Sequence, residues 1–190
     1  MHYKDQLAYY KDFPKKGITF VDVVPLTMDK EALAGITHDL AKLITTPNVA
    51  AVEARGFLFA PGLMFIDSTV QAVIPIRKKG KLPFAENDLV KVAITKEYGE
   101  DIVEYRLSDI GRGVPTGDTF ELSLFDDILA TGGTALGIAN ALNASKVVVD
   151  GKEYKVHVKE FVFVIEIEGL GGKELLETVA PVRSILQVTE

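Results

Sequence analysis

Residues 122–134 pack two adjacent carboxylates and a hydroxyl-flanked glycine pair into one short run, Leu122-Ser123-Leu124-Phe125-Asp126-Asp127-Ile128-Leu129-Ala130-Thr131-Gly132-Gly133-Thr134. The apolar residues before Asp126 read as a buried strand that ends at the two acids. Two glycines let backbone N–H groups converge on one anion without obstruction by Cβ atoms. The helix that follows adds partial positive charge at its start, and Thr131 and Thr134 add hydroxyl donors. The loop has the makings of a phosphate cradle, but not of a Walker loop, which needs a lysine after the glycines. Carboxylates touching a phosphate would repel it, so Asp126 and Asp127 suit vicinal sugar hydroxyls instead. Together these parts point to a sugar carrying a 5-phosphate. The alternative on the residues alone is an acid pair at a strand end and a glycine turn that hold nothing.

Other chemistry is scattered along the chain. Arg55 precedes Gly56 after a short apolar stretch, where a planar bidentate donor suits an anion; a surface arginine is the plainer reading. Arg77, Lys78, Lys79 and Lys81 crowd one glycine-containing segment, which is either an anion clamp or a solvated face. His2, His38 and His157 are the only histidines and form no ligand spacing. The absence of cysteine excludes thiolate zinc, iron–sulfur, disulfide and cysteine-nucleophile chemistry. With 21 basic against 27 acidic residues the net charge is −6, so any phosphate site is local, and no nucleic-acid partner is expected.

These groups need a scaffold, and the hydropathy pattern supplies one. Helical spacing occupies 7–10, and more clearly 31–44 with Asp29 as its cap. A further helical stretch covers 56–66, another 134–142, and a short one 173–178. Strands are expected at 49–52, 70–76, 120–125, 161–167 and 182–188. The 89–95 and 102–107 segments alternate and read as a strand pair joined by a turn. Residues 147–158 read as a hairpin around Asp150-Gly151. Strands alternating with helices predict an α/β fold with a mainly parallel sheet, whose ligands bind at the carboxyl ends of the strands.

The 13-residue run resembles the ribose-phosphate signature of type I phosphoribosyltransferases, which use phosphoribosyl pyrophosphate. Five further stretches, in order, resemble adenine phosphoribosyltransferases. They are Asp12-Phe13-Pro14-Lys15-Lys16-Gly17-Ile18-Thr19-Phe20-Val21-Asp22, Glu53-Ala54-Arg55-Gly56-Phe57-Leu58-Phe59-Ala60-Pro61, Pro75-Ile76-Arg77-Lys78-Lys79-Gly80-Lys81-Leu82-Pro83, Glu97-Tyr98-Gly99 and Phe163-Val164-Ile165-Glu166-Ile167. Ala130 stands where hypoxanthine–guanine enzymes carry an acid, which argues against a 6-oxopurine substrate.

The resemblance implies a type I phosphoribosyltransferase fold: a mainly parallel central sheet flanked by helices, a short amino-terminal hood and a flexible β-hairpin loop. It implies purine salvage, in which adenine and phosphoribosyl pyrophosphate give AMP and pyrophosphate with Mg2+. It implies that Asp126 and Asp127 hold the ribose hydroxyls and stand near the metal without caging it, and that Ala130, Thr131, Gly132, Gly133 and Thr134 hold the 5-phosphate. Arg55, Arg77, Lys78 and Lys81 are implied at the pyrophosphate, with Lys79 a bystander. Phe20 is implied as the platform for adenine, although core packing suits its residue type equally. Thr19 and Val21 are implied beside the base through their backbone, and Glu97 as the general acid at purine N7, with Arg55 as the second catalytic residue.

The sequence departs from the family at Ser123, usually apolar; at Val21, where arginine is common; and at Phe84, where glycine is common. The 143–160 segment departs as a hairpin-like insert. One domain is expected over 1–190, with the hood at about 1–28. The start of the chain lacks the apolar core of a signal peptide, and no membrane span is expected. A cytoplasmic location is therefore expected, and the resemblance implies a homodimer. Two other readings stay open: a phosphoribosyltransferase for another purine, and a non-catalytic sensor of phosphoribosyl pyrophosphate.

Overall fold

The computed structural model describes residues 3–66, 69–96 and 99–189. After a 3-10 turn at Tyr3–Gln6, a two-stranded ribbon pairs β1 (Ala8–Lys11) with β2 (Thr19–Asp22), antiparallel. The helical expectation for 7–10 is thus corrected. Four residues are too few to sustain a helix without tertiary support, and their backbone pairs with a segment about ten residues on. Helices α1 (Val24–Thr27) and α2 (Lys30–Leu43) follow. Asp29 caps α2 as its type and place dictate: its Oδ1 accepts the N–H groups of Glu31 and Ala32, both at 2.9 Å.

The main sheet is built from β3 (Asn48–Val52), β4 (Ala72–Lys78), β5 (Leu89–Lys96), β6 (Gly99–Arg106), β7 (Thr119–Leu129), β9 (Lys152–Glu168) and β10 (Val182–Thr189), in the order β10-β9-β7-β3-β4-β6-β5. The pairs from β10 to β4 are parallel. β6 joins β4 antiparallel, and β5 pairs with β6 from Leu89↔Arg106 to Lys96↔Gly99. The helices between strands are α3 (Gly56–Leu63), α4 (Leu107–Gly111), α5 (Gly133–Ala144) and α6 (Gly172–Leu176). The mainly parallel α/β arrangement agrees with the pattern of alternating strands and helices. β8 (Lys146–Val149) forms the expected hairpin with the start of β9, turning at Asp150 and Gly151, both at positive φ.

Two corrections concern strand length. β7 runs through the acid pair to Leu129, because Ile128 and Leu129 pair with Ile165 and Glu166 of β9. β9 is one strand of 17 residues, where the pattern suggested a hairpin arm and a separate core strand.

Strand alternation divides the core. Ala50, Val52, Phe161 and Phe163 face a cluster that holds α5 and α6. Val49, Ala51, Val162 and Val164 face a second cluster shared with α2, α3 and the hood residues Tyr3, Leu7, Val23 and Leu26. Among the described residues no helix is long and apolar enough to cross a membrane.

Candidate active site

The carboxyl ends of β3, β4 and β7 converge on one edge, and each delivers part of the site. β7 delivers the acids. Asp127 is buried and Asp126 partly buried, with the Asp127 N–H donating to Asp126 Oδ1 at 2.9 Å. Burial, and then the neighbouring Asp127 carboxylate, push the Asp126 carboxyl well above the usual aspartate range. Arg55, at the start of α3, reaches Asp127: its Nε lies 2.5 Å from Oδ2. That oxygen is buried, yet no donor among the described residues is aligned on it. The contact is therefore an ion pair without a directed hydrogen bond, and Oδ2 keeps acceptor capacity.

Arg55 also ties the hood to the acids. Its guanidinium carbon lies 5.1 Å from the centroid of the Phe20 ring, within cation–π range. Phe13 meets the same ring edge-on, with centroids 5.4 Å apart and planes at 84°. Thr19 is partly buried beside Phe20, whereas Val21 is buried and packs into the core under the hood.

The chain turns from β7 into α5 at residues 130–132. Gly132 has φ +79° and sits at the helix N-cap, a conformation that side chains rarely adopt. Thr131 and Gly133 are exposed and Thr134 is partly buried, so the first amides of α5 face an open edge.

The basic segment is braced rather than loose. Glu53 Oε2 accepts the Lys78 N–H at 2.9 Å and Arg77 Nε at 3.2 Å. Burial opposes ionisation of Glu53, but the Lys78 amide and Arg77 overcome it and hold the carboxyl below its usual range. Arg77 also donates to the Lys81 carbonyl at 3.0 Å, so its guanidinium shapes the loop. The Glu53–Ala54 peptide is cis. Glu53, Lys78, Lys79, Asp126 and Thr134 line a cavity of roughly 470 Å3, closed on another side by the β5–β6 hairpin. Lys81 is exposed and does not line it. Glu97 lies outside the described residues.

Sequence reasoning passed over Glu53 and Phe13, and it took Lys79 for a bystander, whereas Lys79 lines the cavity beside Lys78 and Asp126. Glu53 had a signal: an acid at a strand end, two residues before Arg55, in a protein with a basic run elsewhere. Among the described residues no cluster of three or more histidine or acidic groups is placed to cage a metal. A groove of roughly 950 Å3 lies elsewhere, and Phe84 and the β8 hairpin both line it. The two departures at 84 and 143–160 thus meet on one surface, with no lining residue in common with the acid-pair cavity.

A mainly parallel sheet flanked by helices, with a glycine loop opening a helix at the carboxyl end of a central strand, is the fold of a type I phosphoribosyltransferase. No protein-family model matches the chain. It is 37% identical over 179 residues to an adenine phosphoribosyltransferase of Clostridium acetobutylicum, covering 93% of this chain and 92% of that one. The crystal structure of adenine phosphoribosyltransferase from Thermoanaerobacter pseudethanolicus superposes with a TM-score of 0.78 at 31% identity, covering 98% of both chains. The Saccharomyces cerevisiae enzyme, complexed with D-2,5-dideoxy-2,5-imino-altritol 1,6-bisphosphate and adenine, superposes with a TM-score of 0.75 at 29% identity, covering 96% of this chain and 95% of that one. The chain belongs to the adenine phosphoribosyltransferase family. It is a pentosyl-transferring enzyme of purine salvage, forming AMP and pyrophosphate from adenine and phosphoribosyl pyrophosphate.

Proposed function

We propose that the chain carries out this transfer with the residues gathered at the carboxyl edge of the sheet. The observation that carries the reading is the buried Asp127 Oδ2, which faces Arg55 and has no aligned donor. An unfilled acceptor beside a glycine loop suits a ribose hydroxyl, with the 5-phosphate on the amides and hydroxyls of Ala130, Thr131, Gly132, Gly133 and Thr134. Arg55 then leaves Asp127 for the pyrophosphate, joined by Lys78 and Lys81, while Arg77 holds their loop in shape. Adenine stacks on Phe20. Thr19 and Val21 read its edge through backbone groups, a role that leaves the buried Val21 side chain free to differ from the family's arginine. With the imidazole proton of adenine on N7, the N9 lone pair attacks C1 as the bond to pyrophosphate breaks, and the N7 proton passes to the Glu97 carboxylate; in the reverse reaction Glu97 returns it to N7 as the general acid. Negative charge grows on the leaving pyrophosphate, and fixed cations stabilise it more in the transition state than in the ground state.

Mg2+ fits this donor set. Asp126 and Asp127 offer hard carboxylate oxygens, one of them without a hydrogen bond, and such an ion needs few protein ligands when phosphates and water supply the rest. When bound, it neutralises charge on the pyrophosphate.

The 190 residues act as one domain, a reading supported by hood residues that share a core with α2 and α3 and by hairpin residues Val147, Val156 and Val158 that share the other core. The chain works as a homodimer. A second copy would cover Leu58, Met64 and Phe65, which leave an apolar face exposed on and just after α3, with Met28 exposed as well; grouped apolar side chains of this kind mark protein contacts. A cysteine-free acidic chain suits the cytoplasm.

The test supplies Mg2+, phosphoribosyl pyrophosphate and each of adenine, hypoxanthine, guanine, xanthine and uracil, and follows nucleotide and pyrophosphate. AMP from adenine alone supports the reading. Turnover on another base overturns the role of Ala130 and Phe20. Binding of phosphoribosyl pyrophosphate without turnover makes the chain a sensor.

A further inference from the structure

Gly169-Leu170-Gly171 joins β9 to α6, and Gly172, the first residue of α6, is pressed against the phosphate loop. A Cβ built on Gly172 would stand 2.0 Å from the carbonyl oxygen of Ala130 and 3.0 Å from its carbon. The contact is mutual: a Cβ on Gly132 would stand 2.9 Å from the Gly172 oxygen and 3.2 Å from its Cα. The two glycines need their lack of a side chain for different reasons. Gly132 adopts φ +79°, which excludes most residues by conformation. Gly172 is absent from the positive-φ residues, so its backbone suits any residue and only the closeness of the Ala130 carbonyl demands glycine. Gly172 is buried; Leu129 Cδ1, at 3.0 Å from such a Cβ, could turn aside, but the nearest group is the Ala130 carbonyl, and backbone cannot rotate away as a side chain would.

We infer that Gly172 is a positioning residue for the 5-phosphate loop. Its Cα forms the wall against which the Ala130 carbonyl rests, and that carbonyl sets the direction of the peptide groups that follow, at Thr131, Gly132 and Gly133. A methyl group at 172 displaces Ala130, and the amides of the cradle lose their common focus. The inference rests on the proposed role of residues 130–134 as the phosphate cradle.

The experiment compares wild type, Gly172→Ala and Ile36→Val. Ile36 is a buried residue of α2 in the other core, so Ile36→Val lowers thermal stability without touching the loop. The readouts are Tm, KM for each substrate, and calorimetric binding of ribose 5-phosphate, which probes the cradle without pyrophosphate. A misplacement of about 1 Å at a binding loop costs up to about 100-fold. Gly172→Ala is expected to raise KM for phosphoribosyl pyrophosphate at least about tenfold and to weaken ribose 5-phosphate in step, with KM for adenine within about twofold of wild type. Ile36→Val is expected to lower Tm and leave both KM values in place. Failure of wild type to bind ribose 5-phosphate overturns the cradle itself. Wild-type binding that Gly172→Ala retains in full overturns the bracing role alone. If Gly172→Ala does not fold at the assay temperature, it is assayed at low temperature, and Ala130→Gly, which loosens the backbone at the carbonyl without adding an atom at 172, is assayed beside it. A KM for phosphoribosyl pyrophosphate unchanged in Ala130→Gly overturns the proposal.

Discussion

Strand β7 passes two buried carboxylate sites, three residues apart, and they are built to opposite ends. The first is Glu160, opposite Ser123 on β9. Its Oε1 accepts the Thr45 N–H and the Ser123 hydroxyl, both at 2.6 Å. Its Oε2 accepts the Thr45 hydroxyl at 3.0 Å and an N–H of Arg183. Thr46 closes the network: its hydroxyl lies 2.8 Å from both Ser123 Oγ and the Asn48 carbonyl, and gives its single proton to one of them. The second site is Asp126–Asp127, where one carboxyl is pushed up by burial and by its neighbour, and Asp127 Oδ2 has an ionic partner but no aligned donor. A saturated buried acid has nothing left to offer a ligand and serves the fold. An unsaturated one is costly in the free protein and becomes satisfied when hydroxyls arrive. The difference in satisfaction, not in charge or burial, separates structure from function along this strand.

The largest expected effect breaks the functional side. Asp127→Ala removes the acceptor proposed for ribose and the partner of Arg55. A hydrogen bond to a charged group is worth about 1.5–3 kcal/mol, so steady-state assays should show kcat/KM falling about 10- to 150-fold, with Tm of the free protein little changed. A large drop in Tm with activity retained would make Asp127 a structural acid like Glu160.

Glu160→Gln is the converse. It leaves Arg183 without its counter-charge and turns one acceptor oxygen into a donor that faces existing donors. Breaking a buried pair costs about 3–5 kcal/mol, and because Arg183 is over a third exposed, solvent screening lowers that to about 2–3 kcal/mol. In a chain of this size each kcal/mol moves Tm by about 2–4 °C. Urea melts should show the loss, while KM for both substrates in the folded enzyme stays within about twofold. Altered KM values would mean that the network sets the geometry of the acids three residues on.

The pH dependence sharpens the comparison through Asp126. Its folded pKa is raised above the unfolded one, so between the two values the native state holds more protons than the unfolded chain. Stability of the ligand-free protein is then full below the ordinary aspartate range and falls as pH rises through the raised value. Asp126→Asn should flatten that slope and leave the protein more stable than wild type at neutral pH. Thermal melts from acid to neutral pH in matched buffers check it; an unchanged slope would place the titration elsewhere.

Legibility in the sequence followed locality. The cap and apolar face of α2, the Asp150-Gly151 turn, and the acid pair with its glycine loop are each written in consecutive residues. What escaped depends on partners far along the chain. Lys159-Glu160 looked like a break between two strands because its charge is absorbed by Thr45, Ser123 and Arg183, which lie in separate segments. The Leu7–Tyr10 residue types permit either state, and pairing with β2 decides it. In the site, Arg55 could be placed beside an anion, but its contacts with Phe20 and Asp127 are tertiary. Gly172 had no signal at all, since only the approach of Ala130 makes its missing side chain necessary.

Ser123 gives the finest test, because it departs from the family's apolar residue and the structure supplies the reason. It is fully buried and donates to Glu160, so residue and partner are chemically matched. Ser123→Val deletes one donor, worth about 1 kcal/mol, and adds apolar surface in a fully buried position, worth about 0.8 kcal/mol per methylene-sized group where space allows. The net change in wild type should be about 1 kcal/mol or less. In a Glu160→Leu background the donor has no acceptor there, so the same valine should be neutral or stabilising. A double-mutant cycle from urea melts is then expected to give a coupling of about 1 kcal/mol between positions 123 and 160. Additive effects would reduce Ser123 to a space-filler, and the contrast along β7 would rest on Thr45 and Arg183 alone.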